Sequence, residues 1–386
     1  MNAKRFVYQA SIVLLALGAV ALFARFAHGH RDAAYGSYVV WGLWVAMYLF
    51  FAGVAAGSFC IATLDLLFGV DAFKGTGRLA LWVAVVSLCG ALLSIGLDLG
   101  HMGRIWKVYL QPNFGSVMAQ MVWGYTLFGV LLAAALHQAI KNPSGKTLRT
   151  LLIIGLPLAL FVAGAVGALF GVAASRPAWR EGLLPVQFPV LAAASGAAAL
   201  LAAIGLFGPS DDPRRPRQIR ILSVATAVLV LAKLYFVWSD YSLALYGKAP
   251  VSAHAVKAVL FGSHWWAFWL LQIVVGTVIP VVVLLRSKNT SPVIAGAMGA
   301  LALLGFAVAR ANVVIPALTI PEIDALATAF SGSPRLQFTY FPSLMEWGMT
   351  LGITGLVTLA FLIGSDRLPL RPVVSAPLPI RAKEVA

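Results

Sequence analysis

The chain repeats one pattern, a run of about 20 mostly apolar residues followed by a short polar or basic break. Ten such runs, at 6–27, 38–68, 78–99, 117–140, 149–174, 188–208, 219–246, 262–285, 292–313 and 342–364, account for most of the sequence. About 20 apolar residues is the length an α-helix needs to cross the hydrocarbon of a bilayer. In lipid, backbone amides and carbonyls must be satisfied inside the protein, which a helix does within one segment. The expected fold class is therefore all-α: a polytopic membrane protein of about ten transmembrane helices. The breaks are Asn142-Pro143-Ser144-Gly145, the Asp211–Arg217 stretch with its two prolines, and Arg286-Ser287-Lys288-Asn289. Gly and Ala within the runs suit close helix–helix contact.

Composition removes the soluble alternatives. Hydrophobic residues make up 61% of the chain and charged residues 11%, against roughly 25% charged in soluble domains. The longest loop between runs, about 314–341, is too short for a catalytic domain, so chemistry on a soluble substrate is assigned to a partner. We expect one integral membrane domain over 1–386. It divides into an early helix bundle at about 38–210, a second bundle at about 219–364 and a short cytoplasmic tail at 365–386. Net charge is +15, from 28 Lys and Arg against 13 Asp and Glu. In this setting the excess marks cytoplasmic loops rather than nucleic-acid binding. Counting Lys and Arg on alternate sides gives 17 against 9, which places both termini in the cytoplasm. The first run starts with Lys4 and Arg5 but is long for a cleaved signal, and is read as a retained helix.

Ionisable residues at membrane depth are costly and therefore candidates for function. These are Asp65, Asp98, Lys233, Asp240, Arg310 and Glu346. Lys233 and Asp240 stand seven apart, two helical turns, and share a face. They are read as part of a proton or polar pathway with Asp65, Arg310 and Glu346. Mutually satisfied charges between helices are the bland alternative, and Asp65 sits near enough to a helix end to reach the interface. The densest polar group is Asp98, His101 and Arg104 at the end of the third run, followed by Trp106, Tyr109, Asn113 and Gln120. Asp98 and His101, at i and i+3, face the same way if the helix continues. A hydroquinone losing two protons needs two acceptors, and a carboxylate beside an imidazole supplies them. On this reading Asp98 and His101 handle protons, Arg104, Asn113 and Gln120 orient a quinone head, and Trp106 or Tyr109 walls the pocket. A polar helix cap with interfacial Arg and Trp anchors accounts for the same residues without a ligand.

Resident redox centres are not expected. Cys60 and Cys89 lie in apolar runs and are too few to hold an iron–sulfur cluster or a zinc ion. The six histidines fall at run ends or in loops without a facing pair, so no intrinsic haem is expected. No nucleotide-binding glycine motif, nucleophile elbow or zinc motif occurs, and no metal site is assigned. A rival from another class is a secondary transporter with a coupling site around Lys233 and Asp240.

Several segments resemble a known family. Gly42-Leu43-Trp44-Val45-Ala46-Met47-Tyr48-Leu49-Phe50-Phe51-Ala52-Gly53, with Ala55-Ala56-Gly57, is similar to the second helix of the NrfD/PsrC, or polysulfide-reductase-type, integral membrane subunits. Asp98-Leu99-Gly100 and Pro112-Asn113-Phe114 resemble that family's third-helix exit and the loop after it. Ser175-Arg176-Pro177-Ala178-Trp179 and Leu184-Pro185-Val186-Gln187-Phe188-Pro189 resemble its mid-chain signature. Tyr340-Phe341-Pro342-Ser343-Leu344-Met345-Glu346-Trp347 looks like the last helix of the ten-helix branch, which includes HybB-like and DsrP-like subunits. The resemblance implies a membrane anchor subunit of a respiratory oxidoreductase in a prokaryotic cytoplasmic (inner) membrane. It would bind menaquinone or ubiquinone near the outer face and exchange electrons with a peripheral ferredoxin-like iron–sulfur subunit. That subunit would serve a catalytic subunit, expected to be a molybdenum oxidoreductase, with a hydrogenase or cytochrome as alternatives. The resemblance implies anaerobic respiration and leaves the terminal substrate open.

Overall fold

The computed structural model describes residues 3–173, 175–179, 182–247, 250–286, 291–323, 325–329 and 332–370. Arg180, Lys248, Lys288, Arg371, Arg381 and Lys383, which entered the charge comparison, lie outside the described residues, as does 371–386 of the expected tail.

Ten helices have the length and apolarity to cross a membrane, one for each run. In chain order they are α1 (Ala3–His28), α2 (Leu43–Leu66), α3 (Gly77–Asp98), α4 (Val117–Lys141), α5 (Lys146–Gly171), α6 (Leu184–Phe207), α7 (Arg215–Tyr246), α8 (Ala267–Arg286), α9 (Pro292–Thr319) and α10 (Leu344–Arg367). Among the described residues there are no strands. The protein is an all-α, multi-pass membrane protein. The long loops lie where odd-numbered helices end, forming a loop-rich face. The described terminal segments lie at the other, the terminal face.

Burial separates the helices that face lipid from those that face protein. α2 is apolar on every side and buries 19 of its 24 residues, the mark of a helix surrounded by other helices. It packs on α3, α5, α6, α9 and α10. Where it crosses α6 the two backbones touch: a Cβ added at Gly57 would collide with the Ala192 carbonyl, and one at Gly196 with the backbone of Gly57 and Ser58. Glycine at both positions is what allows this close approach, the packing device of lipid-embedded helices. α1 is peripheral. It packs chiefly on α10, Gly18 against Gly352, while Val20, Phe23 and Phe26 point outward. On the terminal face Lys4 and Tyr8 of α1 both bind the Asp366 carboxylate of α10.

Two features depart from simple runs. α7 is 32 residues long, and its two charges at membrane depth, Lys233 and Asp240, face protein. α8 opens with twelve residues of π-helix, Ala267–Val278, before continuing as α-helix. Thr277 Oγ1 donates to the Gln272 carbonyl five residues back at 2.8 Å. Wide turns of this kind recur at functional sites. An additional helix, Pro250–Leu260, precedes α8 on the loop-rich face.

Candidate functional site

The α3 helix ends at Asp98: Leu99 is already extended, with φ −63° and ψ 124°. The i, i+3 face expected for Asp98 and His101 therefore does not form, because the helix stops between them at Leu99-Gly100. Asp98 turns into the bundle, and His101 is exposed in the loop. Arg104, Trp106, Tyr109 and Asn113 are exposed as well, and Gln120 is half-buried. This stretch spends its hydrogen bonds on its own fold. Tyr109 pairs with Thr126 at 2.7 Å, Gln120 donates to the Phe114 carbonyl at 2.8 Å, and Asn113 accepts from the Gly115 amide at 3.1 Å. Trp123 of α4 donates to the Val108 carbonyl at 3.1 Å, pinning the loop to α4.

What gathers round Asp98 comes instead from chain segments far apart in sequence. Arg25, at the end of α1, donates from Nε to the Leu97 carbonyl and from Nη2 to the Leu99 carbonyl, each at 3.2 Å. The last turn of a helix leaves carbonyls without partners, and the guanidinium supplies them. His30 Nε2 lies 3.1 Å from both Arg25 Nη2 and the Asp98 carbonyl. Burial, then the adjacent Arg25 charge, holds the His30 pKa below the usual imidazole value. A neutral ring can accept from Arg25 there. His30, Tyr35 and Trp44 stack as a cluster with ring centres 5.8–6.4 Å apart.

Glu346 completes the group. It is fully buried at the first turn of α10, where Ser343 and Glu346 form a reciprocal capping box. Its carboxylate accepts from the Ala34 amide at 3.0 Å, the Ser343 amide at 3.0 Å and the Tyr340 phenol at 2.5 Å. Its own carbonyl takes the Trp44 indole at 3.2 Å, and the Tyr340 oxygen accepts the Leu43 amide at 2.7 Å. A Cβ at Gly42 would strike Glu346, Tyr340 and Tyr35, so glycine is required where α2 begins. Burial, followed by the nearby Asp98 and Glu346 charges, pushes the Tyr35 phenol well above its usual pKa; burial and Glu346 do the same to Tyr340. The Tyr35 hydroxyl and the Asp98 carboxylate are buried side by side, the phenol facing the carboxylate as its hydrogen-bonding neighbour in a contact looser than those of Glu346. Two carboxylates and two phenols thus meet beneath the loops of one membrane face.

The loops over this group are tied down. Arg176 donates to the Tyr38 carbonyl at 2.9 Å and faces Glu322 at 3.8 Å. Tyr38 stacks on Phe338 at 4.5 Å, and Trp41 on Trp179 at 5.6 Å.

The residues assigned to a polar pathway separate into three places. Asp65 is a loop cap on the terminal face, accepting the Gly75 and Gly77 amides at 3.0 and 2.7 Å. Glu346 belongs to the Asp98 group. Lys233, Asp240 and Arg310 line one cavity of about 110 Å³ among α6, α7, α8 and α9. In it Gln187 Nε2 donates to both Asp240 oxygens, at 2.8 and 2.9 Å. Lys233 Nζ and Arg310 Nη1 have no hydrogen-bond partner among the described residues. They lie on ring faces, Lys233 Nζ 4.9 Å from the Phe306 centre and Arg310 Cζ 4.0 Å from that of Phe188, contacts that favour a cation. Asn312 donates to Gln272 at 2.7 Å on the wall shared with α8. Among the described residues no three His, Cys, Asp or Glu side chains gather as a metal-ligand group.

Sequence reasoning found Asp98 and Glu346 but not Arg25, His30, Tyr35, Trp44 or Tyr340. Trp44 and Tyr340 do lie inside the quoted family-like segments. Arg25 and His30 read only as charges flanking the first run.

Comparison with known proteins gives a consistent picture. The family model described as "Polysulphide reductase, NrfD" matches residues 33–322. The chain is 30% identical to a selenate reductase subunit of Mesobacillus selenatarsenatis, over 95% of this chain and 94% of that one. It is 26% identical to the Hdr-like menaquinol oxidoreductase integral membrane subunit of Archaeoglobus fulgidus, again over 95% and 94%. It is 22% identical to the menaquinone reductase integral membrane subunit of Nitratidesulfovibrio vulgaris, over 93% and 90%.

Proposed function

Since the chain belongs to the polysulphide reductase NrfD family, we propose that it is the quinone-reactive membrane anchor of a multi-subunit respiratory oxidoreductase. It exchanges electrons between the quinone pool and a peripheral ferredoxin-like iron–sulfur subunit. A catalytic partner, a molybdenum oxidoreductase on this reading, handles the other substrate. The quinone is of the menaquinone or ubiquinone class; the names of two relatives, a menaquinol oxidoreductase and a menaquinone reductase subunit, favour the former. The protein resides in a prokaryotic cytoplasmic membrane with both termini inside, so that the loop-rich face is the outer one.

The observation that carries this reading is the pair of carboxylates, Asp98 and Glu346, beside the Tyr35 and Tyr340 phenols at one end of the bundle. Hydroquinone oxidation yields a quinone, two electrons and two protons. The electrons leave to the partner, and each ring oxygen needs a proton acceptor within hydrogen-bond reach. Asp98, which faces only the Tyr35 phenol loosely, takes one proton, and Glu346 takes the other through Tyr340. Neutral His30 tunes Asp98 through Arg25 and the α3 terminus. His101, exposed just beyond Asp98, passes protons to water, and Arg104, Trp106, Tyr109, Asn113 and Gln120 form the surface over the head where the iron–sulfur partner seats. The Lys233–Asp240–Arg310 cavity is a separate polar pathway within the second half of the chain.

The same cavity supports the rival reading, a secondary transporter, because charged groups at membrane depth are what a coupling site requires. Purification decides between them. An anchor brings iron–sulfur and catalytic subunits with it and oxidises quinol. A transporter purifies alone and accumulates a solute in vesicles.

A further inference from the structure

A second, larger cavity lies between α10 and the wall made by α2, α6, α8 and α9, with a volume of about 770 Å³. That is within the range of pockets that enclose whole organic ligands, roughly 300–1,000 Å³. It runs along the membrane normal. Tyr340 and His264 line its loop-rich end, and Val7, Phe207 and Phe361 its terminal end. From Trp347 to Phe361 it follows α10 over fifteen residues, about 21 Å of helix at 1.5 Å per step.

Three features select what fits. First, among the described residues the lining holds no Lys, Arg, Asp or Glu. A phospholipid phosphate would have no cation to meet, so the occupant's head is uncharged. Second, the polar side chains part-way down are largely turned inward on their own helix: Thr354 and Thr358 each donate to the carbonyl four residues back at 2.8 Å. The middle therefore presents methyl groups and aliphatic chains. Third, the loop-rich end touches the Asp98–Glu346 group, because Tyr340 lines the cleft and binds Glu346.

We propose that this cleft seats the isoprenoid tail of a membrane quinone, with the ring at its Tyr340 end and the tail running towards Phe361. The assignment rests on the quinone-reactive reading above for the identity of the ring. A long, uncharged, branched hydrocarbon matches the wall in length, charge and polarity, and the cleft guides the ring from lipid to the carboxylates.

The test fills the cleft far from the ring. Ala203→Trp on α6 and Ala307→Trp on α9 place bulk among its lining residues, with Val228→Trp, on the exposed side of α7 and outside the cleft lining, as the bulk-matched control. Each is assayed in the purified complex with a long-chain menaquinol and with a tailless, ring-only analogue. The expected result is a KM for the long-chain quinol raised at least tenfold in the two cleft Trp variants, with the tailless analogue and Val228→Trp unchanged. Native mass spectrometry of the wild-type complex should show one bound prenylquinone, lost in both cleft Trp variants. Unchanged KM for long-chain quinol in correctly assembled cleft Trp variants overturns the tail assignment while leaving the quinone-reactive reading intact. A phospholipid in the cleft overturns it too. A wild-type complex that holds a prenylquinone in the cleft but turns over no quinol upholds the cleft and overturns the functional reading. Should a cleft Trp variant fail to assemble, bound prenylquinone in the milder Ala203→Leu decides in its place, and undiminished occupancy there counts against the proposal.

Discussion

Tyr340 and Glu346, six residues apart at the start of α10, are joined by a phenol-to-carboxylate hydrogen bond of 2.5 Å, and the same carboxylate fixes the Ala34 amide across the bundle at 3.0 Å. One buried side chain thus ties the last helix to the loop after the first. Glu346→Gln keeps the shape but turns an acceptor of three donors into a group carrying donors of its own. Leaving one or two buried donors unsatisfied costs about 1–3 kcal/mol each. We expect a clear fall in the thermal midpoint of the detergent-solubilised protein, with a smaller fall for Tyr340→Phe. Equal stability in all three proteins would show that the carboxylate is not the acceptor described.

Asp98 is less committed than Glu346, whose carboxylate holds three donors; the Asp98 side chain faces the Tyr35 phenol. Asp98→Asn removes a proton acceptor and little of the packing. The expected outcome is a hundredfold or larger drop in quinol oxidation, in line with the roughly 10²–10⁴ attributed to a positioned acid–base group, with assembly unchanged. Steady-state kinetics on the purified complex measures it.

His30 gives the site a pH signature. Its pKa is held below the ordinary 6.5 by burial and by Arg25, so the folded protein favours the neutral ring. The unfolded chain binds the extra proton first as pH falls. The contribution is therefore fully present above about pH 6.5 and is lost as pH drops from there through the depressed folded value. Thermal midpoints recorded from pH 8 to pH 5 should decline below pH 6.5, and the decline should be shallower in His30→Gln. An identical profile in the variant would remove His30 as its source.

Lys233 offers a prediction with an unusual sign. Its ammonium is buried on the Phe306 ring face without a hydrogen-bond partner among the described residues, in the cavity it shares with Asp240 and Arg310. Replacing a buried, unpaired charge with an apolar side chain of similar volume is often neutral or stabilising. Lys233→Met should keep or raise the thermal midpoint while lowering turnover several-fold if the cavity conducts protons. A purely structural lysine gives the opposite split, a loss of stability with turnover intact.

The α2–α6 crossing is the mechanical centre. Gly57→Leu or Gly196→Val drives side-chain atoms into the facing backbone, so we expect loss of assembled protein in membranes. Gly96→Ala, on α3 in open space, should be tolerated. Immunodetection of membrane-inserted protein compares them.

The ten spans were legible because an apolar run long enough to cross lipid leaves one structural solution. Their ends were less so. Gly100, just past the Leu99 cap, is a local helix-stop signal, but the direction of the side chains was not readable: one residue of extended backbone at Leu99 sends Asp98 inward and His101 outward. Glu346 stood out as a carboxylate at membrane depth, and Ser343-Leu344-Met345-Glu346 has the spacing of a capping box, whereas Ala34 is ordinary in sequence and meets it only through the packing of α1, α2 and α10. Helical period put Lys233 and Asp240 on one face, and both line one cavity. Arg310 joins them from another helix, which periodicity within one helix does not reveal.

The central claim, that Asp98 and Glu346 take the protons of a quinol oxidised at the loop-rich face, is tested most directly by mixing menaquinol with the purified complex. The rate of quinol oxidation is followed in wild type and in the Asp98→Asn, Glu346→Gln double variant. The account predicts rapid oxidation by wild type and a rate lower by at least about a hundredfold in an equally assembled double variant. Wild-type rates in the double variant would contradict it.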